Sequence, residues 1–151
     1  MPTLHTYDYA VLRVVPRVER GEFVNVGVIV SCAATGLLHA AIELDEARVL
    51  ALDPAADLAG LRAALVAIPV ICAGGEPAGA LGRLATRERF HWLVAPRSSA
   101  VQTSAVHTGR AAAPELALER LMNTMVRTIV RRTGAARAQP DEPGVSGEPD
   151  T

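Results

Sequence analysis

Apolar residues recur at every second position early in the chain and at every third or fourth position late in it. This change of period lays out the elements. In residues 7–15, Tyr9, Val11, Arg13 and Val15 share one face, and Ala10, Leu12 and Val14 share the other. Both faces are largely apolar, so a central strand is expected. Pro16 cannot donate to a ladder and ends it. Residues 17–24 read as a charged loop in which Gly21 is free to take a positive φ. In residues 25–32, Val26, Val28, Val30 and Cys32 form one face, and Gly27, Ile29 and Ser31 the other. Gly27 would let a neighbour approach that strand closely. Ala34-Thr35-Gly36 suits a hairpin turn. In residues 38–44, Leu38, Ala40, Ile42 and Leu44 point inward against outward His39 and Glu43. The first three strands read as an antiparallel meander.

The period then lengthens. Asp45 can cap a short helix over 46–52, and Asp53-Pro54 offers a second start, an acid before a proline at the first helical position. Leu58, Leu61, Leu65 and Ile68 make a helical stripe. Pro69 is expected to end or kink that helix, and Gly74-Gly75 to close the segment. Residues 76–88 carry no decisive pattern. Residues 90–95 read as a fourth strand and 100–107 as a fifth, separated by a turn at Pro96-Arg97-Ser98-Ser99. A last helix opens on Pro114 and Glu115, with Leu118, Leu121, Met122, Met125, Val126 and Ile129 as its apolar face. Arg131 and Arg132 would end it, with Gly134 as C-cap. Residues 135–151, rich in proline, glycine and acids, read as a disordered tail behind a domain at 1–134.

Composition narrows the picture. The chain has 151 residues, which fits one domain, and only 3% are aromatic. The core must therefore rest on many small Ala, Val and Leu contacts. All fifteen basic residues are arginine. The tail carries a net −3 of the overall −1, which leaves about +2 for the rest. That balance argues against nucleic-acid binding. Cys32 and Cys72 lie in apolar surroundings with no CxxC, as buried thiols of a reducing compartment would. The opening residues lack the basic and apolar regions of a signal peptide, and no apolar run reaches the ~18 residues of a membrane span. A cytoplasmic protein is expected.

Several groups invite a functional reading. Arg17, Arg20, Glu22 and Asn25 crowd one loop, with Gly27 just inside the strand. Arginine forks suit phosphate or carboxylate. Equally, Arg20 can pair with Glu19 or Glu22, and Asn25 can satisfy a turn. Arg97, Ser98 and Ser99 could cradle an anion, or simply form a turn. His107, before Thr108 and Gly109, has the chemistry of a general base, but no nucleophile or orienting acid accompanies it at a recognisable spacing. The other histidines are scattered, so no metal site is expected, and no cofactor fingerprint is present.

The stretch Arg20-Gly21-Glu22-Phe23-Val24-Asn25-Val26-Gly27-Val28 resembles a bacterial family of small proteins filed as a domain of unknown function, number 3037. The opening strand Tyr9 through Pro16, the block Phe90 through Ser99 and the block Val106-His107-Thr108-Gly109 resemble further parts of it. The resemblance brings no established activity or catalytic residue. It implies an association with HipA-like kinase-fold proteins, whose genes often neighbour those of the family, and hence a partner or accessory role.

The expectation is a single α+β domain: an antiparallel sheet of about five strands with two or three helices, in the order β-β-β-α-(α)-β-β-α. The expected function is a non-enzymatic accessory or protein-interaction module. The alternative is a phosphate- or nucleotide-binding protein, or an enzyme, built on Arg17, Arg20 and Arg97 with Glu22 or His107 as acid or base.

Overall fold

The computed structural model describes residues 2–128, so Ile129, the expected helix end at Arg131 to Gly134 and the expected tail lie outside the described residues. Five strands and four α-helices follow in order. They are β1 (His5–Val14), β2 (Val24–Cys32), β3 (Leu37–Ile42), α1 (Glu46–Leu52), α2 (Leu58–Ala73), α3 (Thr86–Leu93), β4 (Val101–Thr103), β5 (His107–Ala111) and α4 (Pro114–Met125). The class is α+β, and every strand pairing is antiparallel. The sheet runs β3-β2-β1, and both β4 and β5 occupy the far side of β1. They do so at different heights: β4 pairs with Leu12 to Val14, and β5 with His5 to Tyr9.

The sheet is the middle of three layers. On one face Leu12, Val14, Ile29, Leu38 and Ala40 meet Val49 of α1, Leu61, Leu65 and Ile68 of α2, and Phe90 and Leu93 of α3. On the other, Tyr7, Val28, Val30 and Cys32 meet Ala117, Leu118, Leu121 and Met122 of α4. Apolar residues on both faces of β1 and β2 are explained by this double covering. Among the described residues, no single helix is long and apolar enough to cross a membrane.

Four local expectations change. Residues 90–95 are not a strand: Phe90 and Leu93, both buried and three positions apart, belong to α3. That spacing is helical, and a short apolar run does not distinguish the two periods. The expected fifth strand, 100–107, is two strands broken at Ser104, whose N–H donates to the Val11 carbonyl (2.8 Å) while its hydroxyl accepts from the Val11 N–H (2.9 Å). Asp53-Pro54 starts no helix. Asp53 accepts from the Ala55 N–H in a turn, and Asp57 caps α2 by accepting from the Gly60 N–H. Pro69 lies inside α2 without ending it, on the exposed side of the helix.

The remaining change is one of phase. The β1–β2 register pairs Leu12 with Gly27 but Arg13 with Asn25, so Val26 is an extra residue, a β-bulge. The bulge moves Val24 and Val26 to the face of α1–α3, away from Val28, Val30 and Cys32.

Candidate functional site

The charged loop after β1 is a single 3-10 turn, Val18–Arg20, closed by Gly21 at φ 69°. Arg17 donates to Glu19 at 2.8 Å, and Arg20 donates to Glu22. All four side chains are about half exposed, so these pairs are solvent-screened and add little to stability. The rest of the stretch is packed. Phe23 lies under the Arg13 guanidinium, 4.1 Å from ring centre to Cζ. The Asn25 amide donates to the carbonyl of Met125, 3.1 Å away at the end of α4, and so supplies a partner to an unsatisfied helix terminus. A Cβ on Gly27 would stand 2.5 Å from the Ala41 carbonyl oxygen, so the residue is glycine because β3 passes too close for any side chain.

The second block bends round the same end of the sheet. The Val15 N–H donates to the Ala100 carbonyl at 2.7 Å, which brings the start of β4 beside the charged loop. Arg97 lies 4.1 Å over the ring of Trp92 and donates to that residue's carbonyl. Ser99 donates to the Val101 carbonyl at 2.8 Å, and Ser98 is exposed. Beneath Trp92 and Arg97 is a cleft of about 170 Å³ between α2, α3 and β4, walled by Ala64, Ala67, Ile68 and Ile71 on the helix side.

The third block stands apart from the first. His107 pairs with Tyr9, five residues back along β1 from Val14, or roughly 17 Å of strand. Its ring packs on Tyr9 at 5.4 Å between centroids. Gly109 pairs with Tyr7, and a Cβ there would meet the Tyr7 ring at 2.5 Å. Arg120 of α4 donates to the hydroxyl of that tyrosine at 2.9 Å. The chain after β1 and the chain entering β4 thus meet at one sheet end, each of Arg17, Arg20 and Arg97 with its own partner, and His107 lies away from that end.

A polar network across three strands and a helix was not foreseen from the sequence. Asp8, Ser31 and Thr108 are cross-strand neighbours on β1, β2 and β5. Arg87 of α3 reaches down to donate to Asp8 and to Ser31 (2.9 Å), and Thr108 donates to Asp8 at 2.9 Å. Burial works against ionisation of Asp8. The hydrogen bonds from Arg87 and Thr108, with the charges of Arg87 and His91, outweigh it and hold the carboxyl below its usual range. Asp8 is the one acid in β1, a signal that pointed here, but Arg87 fell in the segment without a pattern. Arg89 is likewise structural: it donates to the carbonyls of Leu84 (2.7 Å) and Cys72 (3.3 Å).

Among the described residues no three His, Cys, Asp or Glu side chains are grouped to hold a metal. Both cysteines are buried and free, and burial pushes the Cys72 thiol up to about 11, away from the reactive thiolate. The packed glycines and Asn25 are the parts of the three blocks that fix backbone geometry. The family described as "Protein of unknown function (DUF3037)" matches residues 9–126, a span that holds all three. The chain belongs to the DUF3037 family. No curated protein and no solved structure matches it. For DUF3037 the framework above therefore separates residues that build the sheet, such as Gly27, Gly109 and Asn25, from those left on its surface, such as Trp92 and Arg97.

Proposed function

We propose that this domain is a non-enzymatic partner-binding module that grips its partner at the sheet end where β4 begins. One observation carries the reading. Trp92 is 40% exposed, with the Arg97 guanidinium stacked on it at the mouth of an apolar cleft. Arg97 has no carboxylate partner among the described residues. An aromatic ring already held by a cation loses little freedom on binding, and Trp and Arg lead the residues that dominate interface energies. The chemistry suits a protein segment that places an apolar side chain in the cleft and an acid against Arg97.

The enzyme alternative has less support. Arg17 and Arg20 already hold Glu19 and Glu22, and the Ser31 hydroxyl is buried and accepts from Arg87. The kinase-fold association implied by the family supplies the first partner to test. Titration calorimetry with a purified HipA-like protein from the same genome should show binding at micromolar concentration. Trp92→Ala and Arg97→Ala should each weaken it at least tenfold while the chain still folds cooperatively, with the exposed Arg97 the less costly of the two to stability. Wild-type affinity in Trp92→Ala sinks the proposed surface, and absence of wild-type binding sinks the partner.

A further inference from the structure

The Trp92 cleft continues along α2. It shares Ala64 on the helix side, and Ser99 and Val101 on the strand side, with a second cavity of about 510 Å³. Together they form one trough between α2 and β4. Gly60, Ala64 and Ala67 wall it at helical spacing, and all three are exposed, so the trough opens to solvent. Its two ends carry opposite charge. Arg97 stands with Trp92 at one, and Asp53 and Asp57 at the other. Each acid uses one oxygen, on the N–H of Ala55 and of Gly60 respectively. None of the three charges has an ion-pair partner among the described residues.

From Asp57 to Ile68 the helix rises about 16 Å, or about five residues of extended chain. A segment that fits has a base and an acid that far apart, with small or apolar residues between. The chain carries one after Thr128: Arg137-Ala138-Gln139-Pro140-Asp141-Glu142. Arg137 is the last basic residue of the sequence, and the two acids follow it by four and five positions. Pro140 has no N–H, so its ring can enter the apolar cleft without leaving a donor unmet. The route is short enough. Thr128 and Asp45 wall one cavity, and α1 carries the chain about 10 Å from Asp45 to Asp53. The nine residues from Thr128 to Arg137 span up to roughly 30 Å. The chain therefore meets the acidic end first, and base before acid is the order of the trough.

We propose that residues 137–142 of this chain dock in the trough, with Arg137 on Asp53 and Asp57 and Asp141 or Glu142 on Arg97, so that a partner must displace them. This rests on the reading of the Trp92–Arg97 cleft as a binding surface.

Trp92 is the chain's only tryptophan, so its fluorescence reads the trough directly. The test compares the full chain with the full-length variant Arg137→Gln/Asp141→Asn/Glu142→Gln. A tethered segment has an effective concentration in the millimolar range, so a Kd of about 1 mM or less fills the trough at least half the time. Acrylamide quenching of Trp92 should therefore rise by at least about half in the variant. The peptide acetyl-Arg-Ala-Gln-Pro-Asp-Glu-amide, added to the variant, should shift Trp92 emission saturably with a Kd of about 1 mM or less, and the wild-type chain should need at least about twice as much. Arg97→Glu should raise quenching as the tail variant does, and adding Asp141→Arg/Glu142→Arg to it should lower quenching again. Equal quenching in wild type and tail variant, or no saturable response to the peptide, overturns the proposal. A difference that grows with protein concentration also overturns it, by placing the segment on a second copy. Equal quenching beside a partner affinity that Trp92→Ala still abolishes would remove the docked segment and leave the partner-binding reading standing.

Discussion

Gly27→Ala is the sharpest test of the claim that the most distinctive stretch of this family is built for packing. The new methyl would lie 2.5 Å from the Ala41 carbonyl oxygen and 3.0 Å from Leu12 Cδ1. Leu12 can rotate, but the carbonyl is backbone in the neighbouring strand. It must withdraw by roughly 0.5–0.9 Å to restore ordinary contact, which strains the β2–β3 ladder. Overpacking of this kind costs about 1–3 kcal/mol, and a weakened ladder bond adds about 1. The lower chain entropy of alanine returns about 0.4–1 kcal/mol. The net expectation is a loss of about 2–3 kcal/mol, or on the order of 5–10 °C in Tm for a domain of this size. Urea unfolding followed by far-UV circular dichroism measures it, with an unchanged m-value showing that the folded state is otherwise intact. Gly21→Ala is the control. It has open space around its Cβ and a φ of 69°, so it should lose only the strain of that conformation, about 1 kcal/mol. If Gly27→Ala lies within 0.5 kcal/mol of wild type, close approach of β3 is not why the residue is glycine.

Gly109→Ala should cost about 1–3 kcal/mol by driving the Tyr7 ring from its site and breaking its bond to Arg120; an upfield-shifted Gly109 Hα lost on Tyr7→Leu would corroborate the stacking. Because the folded-state pKa of Asp8 is depressed, its contribution is fully present above the usual carboxylate value of 3.8 and is lost as pH falls through the lower folded value. Asp8→Asn should therefore destabilise by about 1–2 kcal/mol at pH 7 and flatten the acid limb of a Tm-against-pH curve; an unchanged limb would show that the Arg87 network contributes nothing. The Cys72 thiol, raised to about 11, stabilises the fold fully below about pH 9 and loses that contribution as pH rises toward 11, so a thiol reagent should modify Cys72 only on unfolding at pH 8. Rapid labelling of the native chain would contradict this burial.

Much of the frame is legible in the sequence because the period of burial is written in residue type. β1, β3 and α4 each repeat one class of side chain at one spacing. The bulge in β2 leaves no such trace. Val24, Val26, Val28 and Val30 are all valine, so these four positions do not record that two of them face one layer and two the other. Residues 90–95 fail for the opposite reason: every position is apolar or aromatic enough to suit a strand, and only the burial of Arg89, Phe90 and Leu93 fixes a helix. The partners of the site residues were out of reach. Asn25 bonds to a carbonyl one hundred positions later, and Asp8 to an arginine seventy-nine positions later.

The bulge also shows why a polar loop can lead into so buried a strand. With regular alternation from Gly27 backward, Val26 would face α4, and Asn25 would enter the layer of Leu12, Ile29 and Phe90. An amide there, without partners, costs several kcal/mol. One extra residue turns Asn25 to the other face, where the Met125 carbonyl needs a donor, and returns Val26 to the apolar layer at 0% exposure. The polar group thus sets the phase of the strand, and the valines follow it. The same half-turn places Asn25 directly opposite Arg13, so one irregularity in the ladder both completes the core and keeps the polar side chains of the two strands together on the face of α4.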